Sequence, residues 1–250
     1  MAAYDFTAPR LFVEADLAEG RVLPLERAQA NYLLTVLRRA EGEPVLLFNG
    51  RDGEWRAELV PQGRKSADLR VVVQTRPQPA PADLHYLFAP LKTGRIDYMA
   101  QKAVEMGAGR LQPVFTRFTQ GERIKLDRLQ ANAIEAAEQC GILSVPEIGE
   151  PARLPGCLDA LEANRLLVFC DEDASVTDPV AALRGAADPA NPPPLAVLVG
   201  PEGGFHAEER ALIAARPNTV ALSLGPRILR ADTAAVAVLA LVQAVLGDAR

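Results

Sequence analysis

Two short apolar runs near the C-terminal end of the chain, residues 195–199 and 220–224, each stop at a glycine-proline turn, and each turn leads into a helical pattern. The first turn reads Gly200-Pro201-Glu202-Gly203-Gly204-Phe205 and the second Gly225-Pro226-Arg227-Ile228-Leu229-Arg230. A short apolar run bounded by turn signals reads as a strand buried on both faces, as in a parallel sheet. That narrows the possible folds sharply. Parallel neighbours need crossover helices, and ligands of such sheets bind beyond the carboxyl ends of the strands, where both turns fall. Glycines at those ends let a ligand approach the main chain closely.

The preceding chain has the matching rhythm. From residue 84 onward strand patterns at 84–89, 111–115 and 166–169 alternate with helical ones at 95–106 and 126–140, and the C-terminal runs add helices at 207–215 and 230–246. In the helix at 95–106, Ile96, Met99, Ala103 and Met106 are expected on one face. This alternation predicts an α/β domain with a mainly parallel sheet covered by helices. Before residue 76 the pattern is different: five short β-like runs, with Asn49-Gly50 and Asp52-Gly53 suited to a hairpin turn, and one helix at 26–39 that places Ala30, Leu33, Leu34 and Leu37 on a buried face. Such a set suggests a small barrel. The proline-rich stretch 76–83 can continue neither strand nor helix, so the expected organisation is a barrel at 1–75, a linker at 76–83 and the α/β domain at 84–250.

Composition bounds the function. The net charge is -5, and the first 76 residues are charge-balanced while the rest carries the whole negative excess. Wholesale nonspecific nucleic-acid binding is disfavoured, and the first third is the better docking surface if RNA is a partner. Cys140, Cys157 and Cys170 are odd in number and widely spaced, which speaks against a disulfide framework or a zinc site; they read as structural thiols, and no metal is expected. The start has no basic segment followed by an apolar one, and the most apolar segment, 234–246, is too short for a membrane span and carries Gln243. A cytoplasmic protein without a membrane partner is the expectation.

A glycine-rich strand-to-helix turn invites a phosphate-binding reading, because helix N-termini offer amides to anions. The spacing of Gly200, Gly203 and Gly204 fits neither the dinucleotide fingerprint nor a P-loop, no Lys-Ser/Thr pair follows, and Glu202 would repel a phosphate. A carboxylate there suits a cationic or hydrogen-bond-donating ligand. Taken alone the loop reads equally well as an ordinary tight connection. The second turn repeats the device on another strand, and two such turns at one sheet end form a pocket from main-chain groups.

The segments Leu198-Val-Gly-Pro-Glu-Gly-Gly-Phe205 and Leu224-Gly-Pro-Arg-Ile-Leu-Arg-Ala-Asp-Thr-Ala234 closely resemble the signature of the ribosomal RNA small subunit methyltransferase E family, the 16S rRNA uridine N3-methyltransferases of the SPOUT (α/β-knot) superfamily. Tyr32-Leu-Leu-Thr-Val-Leu-Arg38, Leu91-Lys92, Gln101-Lys-Ala-Val-Glu-Met-Gly107 and Ala136-Ala-Glu-Gln-Cys140 extend the resemblance over almost the whole chain in the expected order. It implies a PUA-like N-terminal barrel that docks RNA, a C-terminal SPOUT domain with a trefoil knot, a homodimer, and the small ribosomal subunit as partner. It also implies S-adenosyl-L-methionine held by Leu198, Val199, Gly200, Pro201, Glu202 and Gly203 on one side, and by Leu222, Leu224, Gly225, Ile228, Leu229, Arg230, Thr233 and Ala234 on the other. The last helix, apolar nearly all round, needs burial on more than one side, which suits a dimer.

The implied reaction assigns roles. Uridine N3 must lose a proton before it attacks the methyl group, and an arginine could stabilise the resulting anion; Arg230 is the first candidate. Asp232 or an ordered water could take the proton, with Thr233 orienting the site or bonding the cofactor. Both side chains also suit plain helix-start roles. Arg10, Arg38, Arg39, Lys92, Arg117 and Arg227 are candidate RNA contacts, Arg38 and Arg39 foremost. Three positions depart from the family pattern. Asp232 stands where a glutamate is usual, His206 where a Ser or Thr opens the helix, and Ile142 where an arginine often follows; His206 reads as a variant helix opener rather than a base. A non-catalytic RNA-binding protein of the same fold, or a methyltransferase for another position, are the competing readings.

Overall fold

The computed structural model describes residues 7–63, 66–119, 123–175 and 178–249. The first six residues, on which the reading of the N-terminus partly rests, lie outside them. The chain divides into two compact units, one of residues 1–81 with 137–145 and one of 82–136 with 146–250.

In the first unit the strands are β1 (Arg10–Phe12), β2 (Val22–Pro24), β3 (Pro44–Phe48), β4 (Glu54–Pro61) and β5 (Ala67–Arg76), in the spatial order β1-β3-β4-β5-β2. The β1–β3 pair is parallel and the others antiparallel. Register shifts at Glu54/Trp55 and Arg56/Ala57 bend the β4–β5 ribbon, and the sheet curls into a half-barrel around Leu11, Leu33, Val45, Leu47, Leu59 and Leu69. The helix expected at 26–39 is shorter and wider than its periodicity implied. Helix α1 (Arg27–Asn31) runs into a π-helical turn, Tyr32–Val36, that stops at Arg38 with φ 54°. Ala30 and Leu33 are buried as expected, but the wide turn rotates Leu37 out to 36% exposure.

The second unit holds β6 (Leu84–Phe88), α2 (Thr93–Glu105), β7 (Arg110–Phe115), α3 (Leu126–Cys140, its last turn counted with the first unit), β8 (Glu147–Ile148), β9 (Ala152–Arg153), α4 (Leu154–Asp159), β10 (Leu166–Cys170), α5 (Pro179–Ala186), β11 (Leu195–Val199), α6 (Ala207–Ala215), β12 (Thr219–Leu222) and α7 (Ala231–Val245). Every strand pair is parallel, in the order β12-β10-β11-β6-β7-β8 with β9 on β7. One sheet face packs Leu87, Leu167, Phe169, Ala196 and Leu198 against Leu154, Phe205 and Ile213. Helix α7 packs on α2, α5 and β11, burying Ala235, Val238, Leu239 and Val242. Its apolar surface is therefore largely covered by its own chain.

Helix α2 buries Met99 and Ala103, while Ile96 and Met106 are only half-buried. It ends at Gly107, whose φ of 81° would strain any other residue, and the Gln243 side chain donates to the Met106 carbonyl at 2.7 Å. The Gln243 amide that interrupts the apolar run of the last helix thus satisfies a helix end.

Candidate active site

Three neighbouring parallel strands, β12, β10 and β11, end side by side, and a cavity of about 490 Å3 opens beyond their carboxyl ends. Ten of the fourteen cofactor candidates line it: Val199, Gly200, Pro201 and Glu202 from the first turn, Leu222, Leu224, Gly225, Ile228 and Leu229 from the second, and Ala234 on α7. Leu198 lies in the core beneath, and Gly203, Arg230 and Thr233 are exposed beside the cavity rather than in its wall. Arg227, expected to meet RNA, lines the same cavity.

The third wall was not expected. Cys170 at the end of β10 and Asp171, Glu172 and Ala174 after it close the cavity together with Phe205 and Arg210. Arg210 holds this acidic segment with its guanidinium 3.1 Å from Asp171 and 3.7 Å from Glu172, and it also pairs with Asp173. No glycine-proline turn marks the segment, so only the strand order brings it to the site. Burial pushes the Cys170 thiol up to about 12, which disfavours the thiolate.

The glycines play different parts from those the turns alone suggest. A Cβ on Gly200 would lie 2.3 Å from the Phe205 ring, which packs edge-on against Phe169 at 5.0 Å between centroids. Gly200 therefore makes room for the Phe205 ring. Gly225, with φ 98° and nothing within 4 Å of a built Cβ, is the glycine that leaves the cavity wall bare.

Glu202 meets a cation, but one from its own chain. Arg95 of α2 pairs with Glu202 and also bonds Asp232 through Nε at 3.1 Å. One guanidinium thus ties the first turn to the start of α7. The bond from Arg95 above all holds the Asp232 carboxyl below the usual carboxylate range, with the Thr233 amide donating to it at 2.9 Å. A carboxylate so engaged is a weak base. Nothing in the sequence around Arg95 marks it apart from other helix-face arginines.

Arg230 is the N-cap residue of α7, exposed and without a side-chain cap hydrogen bond, next to Leu229 and Ala231 of the cavity wall. Beneath the site, Tyr86 on β6 is fully buried and its hydroxyl has no hydrogen-bond partner among the described residues. Burial, followed by the Cys170 and Asp232 charges, pushes that hydroxyl well above its usual range, so it stays protonated. Tyr86→Phe is expected to raise stability by about 1 kcal/mol, because an unsatisfied buried donor is removed at nearly unchanged shape; a urea titration showing a loss of stability would reveal a partner for the hydroxyl.

His206 caps α6 as expected: its Nδ1 accepts from the Glu208 amide at 3.4 Å, and Glu209 accepts from the His206 amide at 3.0 Å. Arg117 sits on that helix start, 3.1 Å from His206 Nε2 and 3.5 Å from Glu208. Of the other RNA candidates, Arg38 and Lys92 are exposed, and Arg39 is half-buried with a bond to the Thr7 carbonyl at 2.8 Å. Arg10 is a correction. Its side chain is 4% exposed and paired with Glu54 at 2.8 Å, so it has no surface to offer a phosphate. Among the described residues no cluster of three or more His, Cys, Asp or Glu is placed to hold a metal ion, and no helix is long and apolar enough to cross a membrane.

The chain matches the model of an RNA methyltransferase domain over residues 78–243 and that of an RNA methyltransferase PUA domain over residues 25–72. It is 31% identical to ribosomal RNA small subunit methyltransferase E of Synechocystis, over 96% of this chain and 78% of that one, and 29% identical to the protein of the same name from Rickettsia conorii, over 94% of each. Among solved structures, ribosomal RNA small subunit methyltransferase E of Neisseria gonorrhoeae, bound to S-adenosyl methionine, superposes with a TM-score of 0.85 at 26% identity, covering 96% of this chain and 99% of that one. A Legionella pneumophila methyltransferase in complex with SAM superposes with a TM-score of 0.82 at 29% identity, covering 95% and 97%.

Proposed function

Because the chain belongs to the ribosomal RNA small subunit methyltransferase E family, we propose that it methylates N3 of a uridine in the decoding-centre region of 16S rRNA, using S-adenosylmethionine and acting on the small ribosomal subunit. The observation that carries this reading is the cavity at the ends of β12, β10 and β11, walled by both glycine-proline turns and opening beside Arg230. Its size is that of a small-molecule site. Its lining fits a cofactor that combines an apolar ring, hydroxyls and positive charge: Leu222, Leu224 and Ile228 are apolar, and Asp171, Glu172 and Glu202 supply carboxylates. When bound there, S-adenosylmethionine supplies an electrophilic methyl group.

The residues of this chain do the rest. The turns between β11 and α6 and between β12 and α7 hold the donor through main-chain groups. Arg230, free of ion pairs among the described residues, offers its guanidinium to the negative charge that spreads over the uracil carbonyl oxygens when N3 is deprotonated. Asp232, bonded to Arg95 and held ionised, anchors the start of α7 and keeps the two turns in register through the same arginine. Asp232 or an ordered water takes the N3 proton, and the bond from Arg95 makes the carboxylate a weaker base than an unpaired one. Exposed Thr233 orients the substrate edge of the site.

Nucleoside mass spectrometry of 16S rRNA from cells with and without the gene tests the assignment. Loss of 3-methyluridine, restored by the gene, is the expected result; an unchanged nucleoside profile would overturn it. The expected homodimer rests on the family resemblance, and light scattering should return about twice the chain mass of 26.8 kDa.

A further inference from the structure

Beside the mouth of the cavity stands an aromatic ring that neither the core nor the cofactor site uses. Phe118 is 43% exposed, in the turn that follows β7. That turn is well tied. The Thr116 amide donates to Thr119 Oγ1 at 2.9 Å, the Thr119 amide returns to the Thr116 carbonyl at 3.2 Å, and the Arg117 amide donates to Glu209 at 2.8 Å. The Phe118 Cβ would lie 3.3 Å from a Cβ built on Gly203, so the ring is seated against the first glycine-proline turn. Its ring neighbour is His206, edge-on at 6.1 Å and 67°, and among the described residues no ring stacks face to face on it.

The hydrogen bonds of the turn fix the backbone that presents Phe118. The surroundings indicate what it meets. Ile228, 90% exposed, stands on the second turn, and the exposed side chains of Arg117, Arg227 and Arg230 lie on the same turns or next to the ring. An exposed ring beside Arg117, at a site whose second turn carries the exposed Arg227 and Arg230, matches the chemistry of single-stranded RNA recognition, where bases stack on aromatic side chains and phosphates meet arginine. A base processed in a pocket must also leave its own stack, and an aromatic platform at the mouth replaces the lost stacking.

We propose that Phe118 is a stacking platform for a base of the RNA substrate at the mouth of the cavity, a positioning residue for methyl transfer. This rests on the RNA methyltransferase reading above. Phe118→Ala is expected to lower kcat/KM for methylation of small subunits by roughly tenfold, with S-adenosylmethionine affinity by calorimetry and the melting temperature unchanged. Phe118→Trp should restore most of the loss. A Phe118→Ala enzyme with wild-type kcat/KM, or a loss that Phe118→Trp does not recover, would overturn the proposal. A wild-type protein that methylates nothing would overturn the functional reading instead. In that case the indole added in Phe118→Trp decides: quenching of its fluorescence by oligouridylate, against the steady signal of Trp55 in the wild type, supports the platform, and no quenching overturns it.

Discussion

Arg230→Ala is expected to bind S-adenosylmethionine as the wild type does and to transfer methyl groups roughly 100-fold more slowly, a loss typical of removing one preorganised donor to a developing anion. The geometry makes the substitution clean. Arg230 is exposed at the N-cap of α7, makes no side-chain capping bond, and adds nothing to the cavity wall, which runs through its neighbours Leu229 and Ala231. Its removal leaves the helix start to Asp232 and Arg95, whose pairing does not involve it. Single-turnover kinetics with saturating donor isolate the chemical step, and calorimetry checks the cofactor. If the rate is unaffected, the anion is stabilised elsewhere, and Arg95 becomes the next guanidinium to test.

The largest stability effect is expected in the first unit. Glu54 is 4% exposed at its side chain and receives Arg10 at 2.8 Å and Arg76 at 2.7 Å, with Thr75 Oγ1 donating at 2.9 Å. Glu54→Leu should cost about 3–5 kcal/mol, because it removes the buried carboxylate that accepts from both Arg10 and Arg76. Arg10→Met combined with Glu54→Leu should recover part of that loss, since one of the two guanidinium groups that met the carboxylate is then replaced by an apolar side chain. Urea titrations of the three proteins measure both effects; equal destabilisation by the single and double variants would refute a role for the Arg10–Glu54 pair in that loss. The acid limb follows from the same group. Burial pushes the Glu54 carboxyl up, but the bonds from Arg76, Arg10 and Thr75 outweigh it and leave the folded value lowered. A carboxyl lowered on folding stabilises above its unfolded value, about 4.3, and loses that stabilisation as pH falls through the folded one. Wild type should therefore lose stability more steeply below about pH 4 than Glu54→Leu.

The network also explains why Arg10 is buried while Arg38 is exposed. Arg10, Arg38 and Arg39 are alike as letters in a sequence, and a guanidinium is exposed by default. Only the pairing of β1 with β3 and of β3 with β4 sets Arg10 beside Glu54 in the interior, at contacts 44 residues apart in the chain. Arg38, after the wide helical turn, remains exposed.

The sequence alone determined what local patterning controls: the parallel strands, for which β11 has the expected bounds, the helices α3 and α6, and the two glycine-proline turns as walls of one pocket. These follow from periodicity and turn chemistry, which act over a few residues. The tertiary structure alone decided the third wall at Cys170–Ala174, because strand order places β10 between β11 and β12 and no nearby residue records that order. It decided that Gly200 serves the Phe205 ring and Gly225 the cavity, a distinction set by what fills the space opposite each glycine. It also decided that Glu202 and Asp232, 30 residues apart, share Arg95 from a third element. Charges find partners across the fold through proximity in space, and spacing along the chain carries no trace of it.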